Sequence, residues 1–338
     1  MLIDATIDTA QIRTAGAQAA HAEAAGYAGF GVPEIAHDPF LPLVQAAAST
    51  ERIELSTGIA IAFARTPMTL ANLGYDLAGI SQGRFVLGLG SQIKPHITRR
   101  FSMPWTKPAA RMREMILALQ AIWANWHDGT PLRFRGEFYT HTLMTPMFTP
   151  PRHEWGPPLV RIAAVGELMT AVAGEVADGL ICHGFTTPKY LAEVTLPAVE
   201  TGATRAGRPR SDVEVVGLPM VGVLGGDRSD AEVLTGLRER IAFYGSTPAY
   251  RPVLELHGWG SLGDELHALS LAGKWQEMGE RLPEEVVEEF SIIGSPQQIV
   301  DELQRRYGSL VTRAAISTPG STSTTELDSV VAALGGAR

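Results

Sequence analysis

RIELSTGIAIAFARTPMTLANLGYDLAGISQGRFVLG, residues 52–88, reads as strand, helix, strand. Residues 52–61 carry the Ile, Leu and Thr content of a β-strand. Pro67 suits the first turn of a helix, which the pattern carries to about Ser81. Residues 84–88 form a second apolar strand. Two strands joined through a helix run parallel, because a tight turn would reverse the chain.

The alternation extends in both directions. Strands at 2–7 and 27–33 precede the quoted stretch, with helices at 9–26 and 41–50 between them. Gly26 stands where a helix would stop. Beyond it, Pro108 opens a helix in which Met112, Met115, Ile116, Leu119, Trp123 and Trp126 share one face. That spacing predicts core packing. Strands follow at 159–164, 179–183, 213–224 and 313–317, with helices at 167–177, 187–206, 230–244 and 326–334. Ser295-Pro296-Gln297-Gln298 has capping-box spacing before another helix. Eight strand–helix units predict one α/β domain over residues 1–338, a (β/α)₈ TIM barrel. Insertions are expected after strands 4 and 7, at about 127–158 and 245–290. Such long loops shape pockets, and Phe134, Phe138, Tyr139 and Trp155 suggest a ring-binding cover.

Composition excludes several function classes. The 338 residues are 45% hydrophobic and 19% charged, with a formal charge of −8. Disorder does not fit this balance. With no basic block, neither nucleic acid nor an anionic membrane is an expected partner. Cys182 stands alone, which excludes an intramolecular disulfide and a cysteine metal cage. No metal site is expected. Cys182 and His183 are adjacent, and neighbouring strand residues face opposite sides, so Cys182 is read as a buried hydrophobe. The N-terminus has no basic leader segment and no apolar run is long enough to span a bilayer, so a cytoplasmic protein acting on a small molecule is expected.

In a (β/α)₈ barrel the site gathers where strands end. The candidates there are Glu34, His37 and Asp38; Gly58, Ile59, Ala60 and Arg65; Gly90, Ser91, Gln92 and His96; Ala164, Val165 and Gly166; and His183. The two glycine-bearing turns, at Gly90 and Gly166, offer free N–H groups to a phosphate. Gly88-Leu89-Gly90 lacks the third glycine of a dinucleotide fingerprint, because Ile93 stands there.

These segments resemble the luciferase-like (β/α)₈ oxidoreductases that use FMN or the deazaflavin coenzyme F420. The resemblance rests on residues 58–71, 80–92, 108–123, 133–139, 173–191 and 294–303, and is strongest to the F420-dependent branch. It implies hydride transfer between coenzyme F420 and a small organic substrate. An FMN-dependent monooxygenase is the alternative, and a non-catalytic cofactor-binding barrel a second. It implies that the ring system lies on Gly58, Ile59 and Ala60. The phosphate-bearing tail would run past Gly90, Ser91 and Gln92 to Ala164, Val165 and Gly166. Relatives often carry an Asp-His pair after strand two. Here Glu34 matches the acid and Ile35 replaces the histidine, which leaves His37 as the nearby imidazole. Glu34 and His37 are therefore the expected proton-transfer pair, with Trp105 and His183 in the substrate pocket. The resemblance further implies a cis peptide at Gly58–Ile59. It also implies a two-fold homodimer across the first helices, near Tyr75.

Overall fold

A computed structural model describes residues 1–319 and 325–336. Eight parallel strands close on themselves. They are β1 (Leu2–Thr6), β2 (Gly29–Val32), β3 (Glu54–Thr57), β4 (Phe85–Gly90), β5 (Leu159–Ala164), β6 (Gly179–Cys182), β7 (Glu214–Gly217) and β8 (Arg313–Ala315). The order around the barrel is β3-β2-β1-β8-β7-β6-β5-β4. Leu55 on Phe85 and Ser56 on Val86 return β4 to β3. The predicted TIM barrel is the observed fold.

Helices cover the outside: α1 (Ala15–Ala25), α2 (Phe40–Ser49), α3 (Pro67–Ile80), α4 (Pro108–Asp128), α5 (Glu167–Val176), α6 (Leu196–Arg205), α7 (Asp230–Gly245), α8 (Pro296–Tyr307) and α9 (Thr325–Gly336). Local chemistry sets their ends. Thr66 caps α3 by accepting from the Thr69 N–H, with Pro67 in the first turn. Ser295 and Gln298 form the expected capping box of α8. Met112, Met115, Ile116, Leu119, Trp123 and Trp126 of α4 are all buried. No helix among the described residues is long and apolar enough to cross a membrane.

Three elements depart from the sequence reading. The seventh strand breaks at Leu218 and Pro219, because proline has no N–H for the ladder. The chain then resumes as Met220–Val223, which keeps one bridge to Ser317 beyond β8 and pairs with Ser291–Gly294, a strand the pattern did not reveal. The 245–290 region is helical, with Arg251–Leu256, Gly260–Leu271, Trp275–Glu280 and Glu284–Phe290 packed over a second apolar cluster. Finally, Trp155 packs on Gly83, in the turn that enters β4. That is the strand end opposite the expected site, so Trp155 is no pocket cover. Beside it, the His153 ring lies tilted against Tyr75, with centroids 4.1 Å apart, and Tyr75 is buried.

The lower barrel is filled by charge instead of the usual branched aliphatic side chains. Asp4 of β1, Glu54 of β3, Arg161 of β5 and Glu214 of β7 come from alternate strands and form one layer, joined by Arg313 of β8. Glycine separates the partners: Gly29 lies in register between Asp4 and Glu54, and Gly179 between Arg161 and Glu214. A Cβ on Gly29 would stand 2.5 Å from Asp4 Oδ1 and 2.9 Å from Arg313 Nη1. Both atoms are clamped in an ion pair and cannot retreat. Gly29→Ala is therefore expected to cost about 1–3 kcal/mol, read as a lower urea midpoint; an unchanged midpoint would show that the layer can yield.

Candidate active site

Above the charged layer the inward side chains become small. Thr6, Gly31 and Ser56 lie in register on β1, β2 and β3, and Ala315 follows on β8. They leave a cavity of about 300 Å³, floored by Asp4 and Arg161 and opening at the strand ends beside Gly58, His183 and Ser317. A second cavity of about 350 Å³ shares Thr6, Pro33, Arg240 and Ser317 with it. This is the mouth where a barrel enzyme carries its chemistry.

One wall is the bent end of β3. The Gly58–Ile59 peptide is cis, as the resemblance implied. The chain then rejoins the sheet at Ala60 and Ile61, paired with Leu89 and Gly90. Gly90 is small for a reason: its Cβ would fall 2.7 Å from the Ile59 side chain. Gly58 looks into open space, with nothing within 4 Å of a would-be Cβ.

Glu34 holds this wall in place. Its N–H donates to the Ile59 carbonyl at 3.0 Å, and its Oε2 accepts from the Ile61 N–H at 2.7 Å. Arg65 Nη1 closes on the same oxygen at 2.6 Å and reaches Asp38 through Nη2 at 2.9 Å. The Glu34 carboxylate is thus occupied by one backbone and one guanidinium donor. His37 is exposed on the loop after β2 and lines neither cavity. The structure does not bring the expected pair together at the cavity. The contacts of Glu34 tie it to the β3 extension and to Arg65. Trp105 is likewise absent from both cavity linings. It packs edge-on against Phe63 at 5.8 Å, and Arg111 lies over the other side of that cluster, 4.7 Å from the Phe63 ring centre.

Two further strand ends offer backbone donors. After β4, Gln92 adopts a left-handed φ of +58°, uncommon for a residue with a Cβ. The Ser91 hydroxyl donates to the Gln92 carbonyl at 3.1 Å, and Gln92 Oε1 accepts from Ile93 N–H at 3.0 Å. After β5, Ala164 and Val165 lead to Gly166, the N-cap of the ten-residue α5. Gly166 supplies no side-chain cap, and nothing stands within 4 Å of its would-be Cβ. The first N–H groups of α5 are left for another acceptor.

His183, after β6, lines the cavity as expected. It stacks on Tyr250 at 4.4 Å and meets Tyr244 edge-on at 4.8 Å. Its Nδ1 accepts from the Phe185 N–H at 3.0 Å, and its Nε2 lies 3.1 Å from Tyr250 Oη. Burial pushes its pKa down to about 4, so at neutral pH the ring is uncharged. With Nδ1 accepting, the single ring proton sits on Nε2 and is donated to Tyr250. Cys182, one residue earlier, is buried and unpaired, and burial pushes its thiol up to about 12, which leaves it inert.

A family model described as luciferase-like monooxygenase matches residues 2–313. The chain belongs to that family. An uncharacterized protein of Mycobacterium tuberculosis is 51% identical over 311 residues, covering 92% of this chain and 91% of that one. A putative coenzyme F420-dependent oxidoreductase of the same organism is 28% identical over 273 residues, 76% of each chain. Among solved structures, the coenzyme F420-dependent tetrahydromethanopterin reductase of Methanopyrus kandleri superposes with a TM-score of 0.79 at 21% identity, over 98% of this chain and 96% of that one.

Within this luciferase-like barrel, two cavity-lining residues, Arg240 and Tyr244, and one residue behind His183, Tyr250, carried no signal strong enough to select them. Arg240 and Tyr244 lie one helical turn apart on α7, in a segment the sequence pattern marks only as a helix. Tyr250 lies in the 245–290 insertion, and its approach to His183 across 67 positions is a purely tertiary contact.

Proposed function

We propose that the protein is a coenzyme F420-dependent oxidoreductase that moves a hydride between the deazaflavin and a small organic substrate. The observation that carries the reading is the mouth itself: Gly58, with open space beside it, lines the cavity, and the uncapped α5 begins at Gly166, after the same end of the neighbouring strands. The residues present fit a phosphate-bearing ring coenzyme. Gly58, Ile59 and Ala60 would hold the ring system. Ser91, Gln92 and the backbone of Ala164, Val165 and Gly166 would hold the tail. Bound there, a deazaflavin supplies reversible hydride transfer.

The chain's own task is to orient substrate, exclude bulk water and manage one proton. Glu34 and Arg65 keep the β3 extension in register. The insertion brings Tyr250 to His183, which lines the cavity. The relative named for F420 supports the choice of coenzyme. The family's description supports the FMN-dependent monooxygenase as the second reading. Calorimetric titration separates them. Coenzyme F420 is expected to give saturable heat and FMN little; the reverse ranking would replace the proposal with the monooxygenase.

A further inference from the structure

Two cations line the barrel cavity, Arg161 and Arg240. Arg161 is neutralised by Glu54, at 2.7 Å, and by Glu214. The acid of the cavity floor, Asp4, is engaged by Arg313 at 2.5 Å. Arg240 makes no ion pair with any described residue. Its contacts are the Tyr244 hydroxyl, at 3.4 Å, and the face of the Tyr244 ring, 5.8 Å from its centre. The contrast on the same helix is direct, for Arg238 turns away to Glu284 and the Leu282 carbonyl. Arg240 is thus the cavity-lining arginine that no carboxylate among the described residues pairs with; it stands exposed at the rim, above a floor layer in which Asp4, Glu54 and Glu214 already outnumber Arg161 and Arg313.

Its position separates this charge from the backbone seats for a coenzyme tail. Arg240 adjoins Thr6, Leu218 and Ser317, after β1, β7 and β8. Ser91, Gln92 and Gly166 follow β4 and β5, across the barrel. Next to Arg240 stands a wall of rings, Tyr244 edge-on to His183 and His183 stacked on Tyr250. A flat body with one anionic end matches both features: the guanidinium fork takes the anion, and the rings take the body.

We propose that the substrate carries an anionic group, a carboxylate or a phosphate, held by Arg240, with a ring-shaped or planar body against Tyr244 and His183. This rests on the oxidoreductase reading and narrows its substrate class.

The test uses the full chain, first saturated with whichever coenzyme it binds. Benzoate, phenyl phosphate and neutral benzamide are titrated against wild type, Arg240→Gln and Arg240→Lys. At least one anion is expected to bind about tenfold or more tightly than benzamide, the scale of one charge-assisted contact. Arg240→Gln should erase that preference and Arg240→Lys, which keeps the charge but not the fork, retain only part of it, with coenzyme affinity in Arg240→Gln within about twofold of wild type. The better anion assigns the group as carboxylate or phosphate. Equal binding of anions and benzamide overturns the proposal, as does a preference that survives Arg240→Gln. Loss of coenzyme affinity with probe binding intact also overturns it, because Arg240 would then serve the coenzyme. Preference for FMN would defeat the F420 reading and leave the anion measurement to stand or fall on its own.

Discussion

Arg313→Met is expected to destabilise the protein by about 3–5 kcal/mol at pH 7, the scale for stranding buried charge. Arg313 reaches Asp4 at 2.5 Å and both Glu54 and Glu214 at 3.3 Å. Without it, three carboxylates share Arg161 inside a closed sheet. The pH dependence gives a second check. Burial raises Asp4 from 3.8 to about 6 even against the pull of Arg313. Loss of Arg313 raises it further, so the folded variant binds more protons than the unfolded chain above about pH 4. Its stability then falls as pH rises. The deficit relative to wild type is expected to be largest at neutral pH and to shrink toward pH 5. Urea midpoints at both pH values measure it. A deficit below about 1 kcal/mol at pH 7 would show that water already screens the layer.

Tyr250→Phe is expected to lower turnover about 10²-fold, the usual scale for a proton-transfer group, with coenzyme affinity nearly unchanged. The reason lies in the tautomer of His183. Its Nε2–H donates to Tyr250 Oη, so the oxygen is held by a ring that lines the cavity, while the hydroxyl's own proton is not committed to that bond. Burial also raises the Tyr250 pKa, which keeps that proton in place at neutral pH. His183 cannot act as the base there, because a second proton would charge a buried ring whose pKa is about 4. Turnover should accordingly be insensitive to His183 above about pH 5 and fall toward pH 4. Stability follows the same sense. The unfolded chain binds this proton near the ordinary value of 6.5, so stability is lost as pH falls from about 6.5 to 4. His37→Ala serves as the comparison, with turnover expected within about twofold of wild type because the side chain is exposed. If His37→Ala abolished turnover and Tyr250→Phe did not, the proton would be handled by the loop after β2.

The proposed coenzyme seats and the proposed proton-transfer pair differ in how much of them can be read along the chain. Gly58, Gly90 and Gly166 sit at strand ends, so periodicity alone brings them to the mouth. Glu34 could be placed after β2 in the same way, but its task could not. Whether a carboxylate handles a proton or clamps a wall depends on its neighbours. Those neighbours, the Ile61 N–H and Arg65, lie 27 and 31 residues away. The contact of Trp105 with Phe63 could not be read along the chain either.

What the amino-acid sequence determined by itself was the barrel. Helix and strand periods are local, and eight parallel units have few ways to bury their apolar faces. The capping box at Ser295, the helix stop at Gly26 and the core stripe of α4 are local in the same sense. Only the tertiary structure decided the rest. The Ser291–Gly294 strand exists because Met220–Val223, freed at Pro219, supplies it with a partner. The charged layer exists because closure brings residues as far apart as Asp4 and Arg313 into contact, through space that Gly29 leaves empty. Tyr250 and Arg240 acquire their places from a folded insertion and a helix rotation. Such contacts depend on distances between strand ends, and chain spacing does not encode those distances.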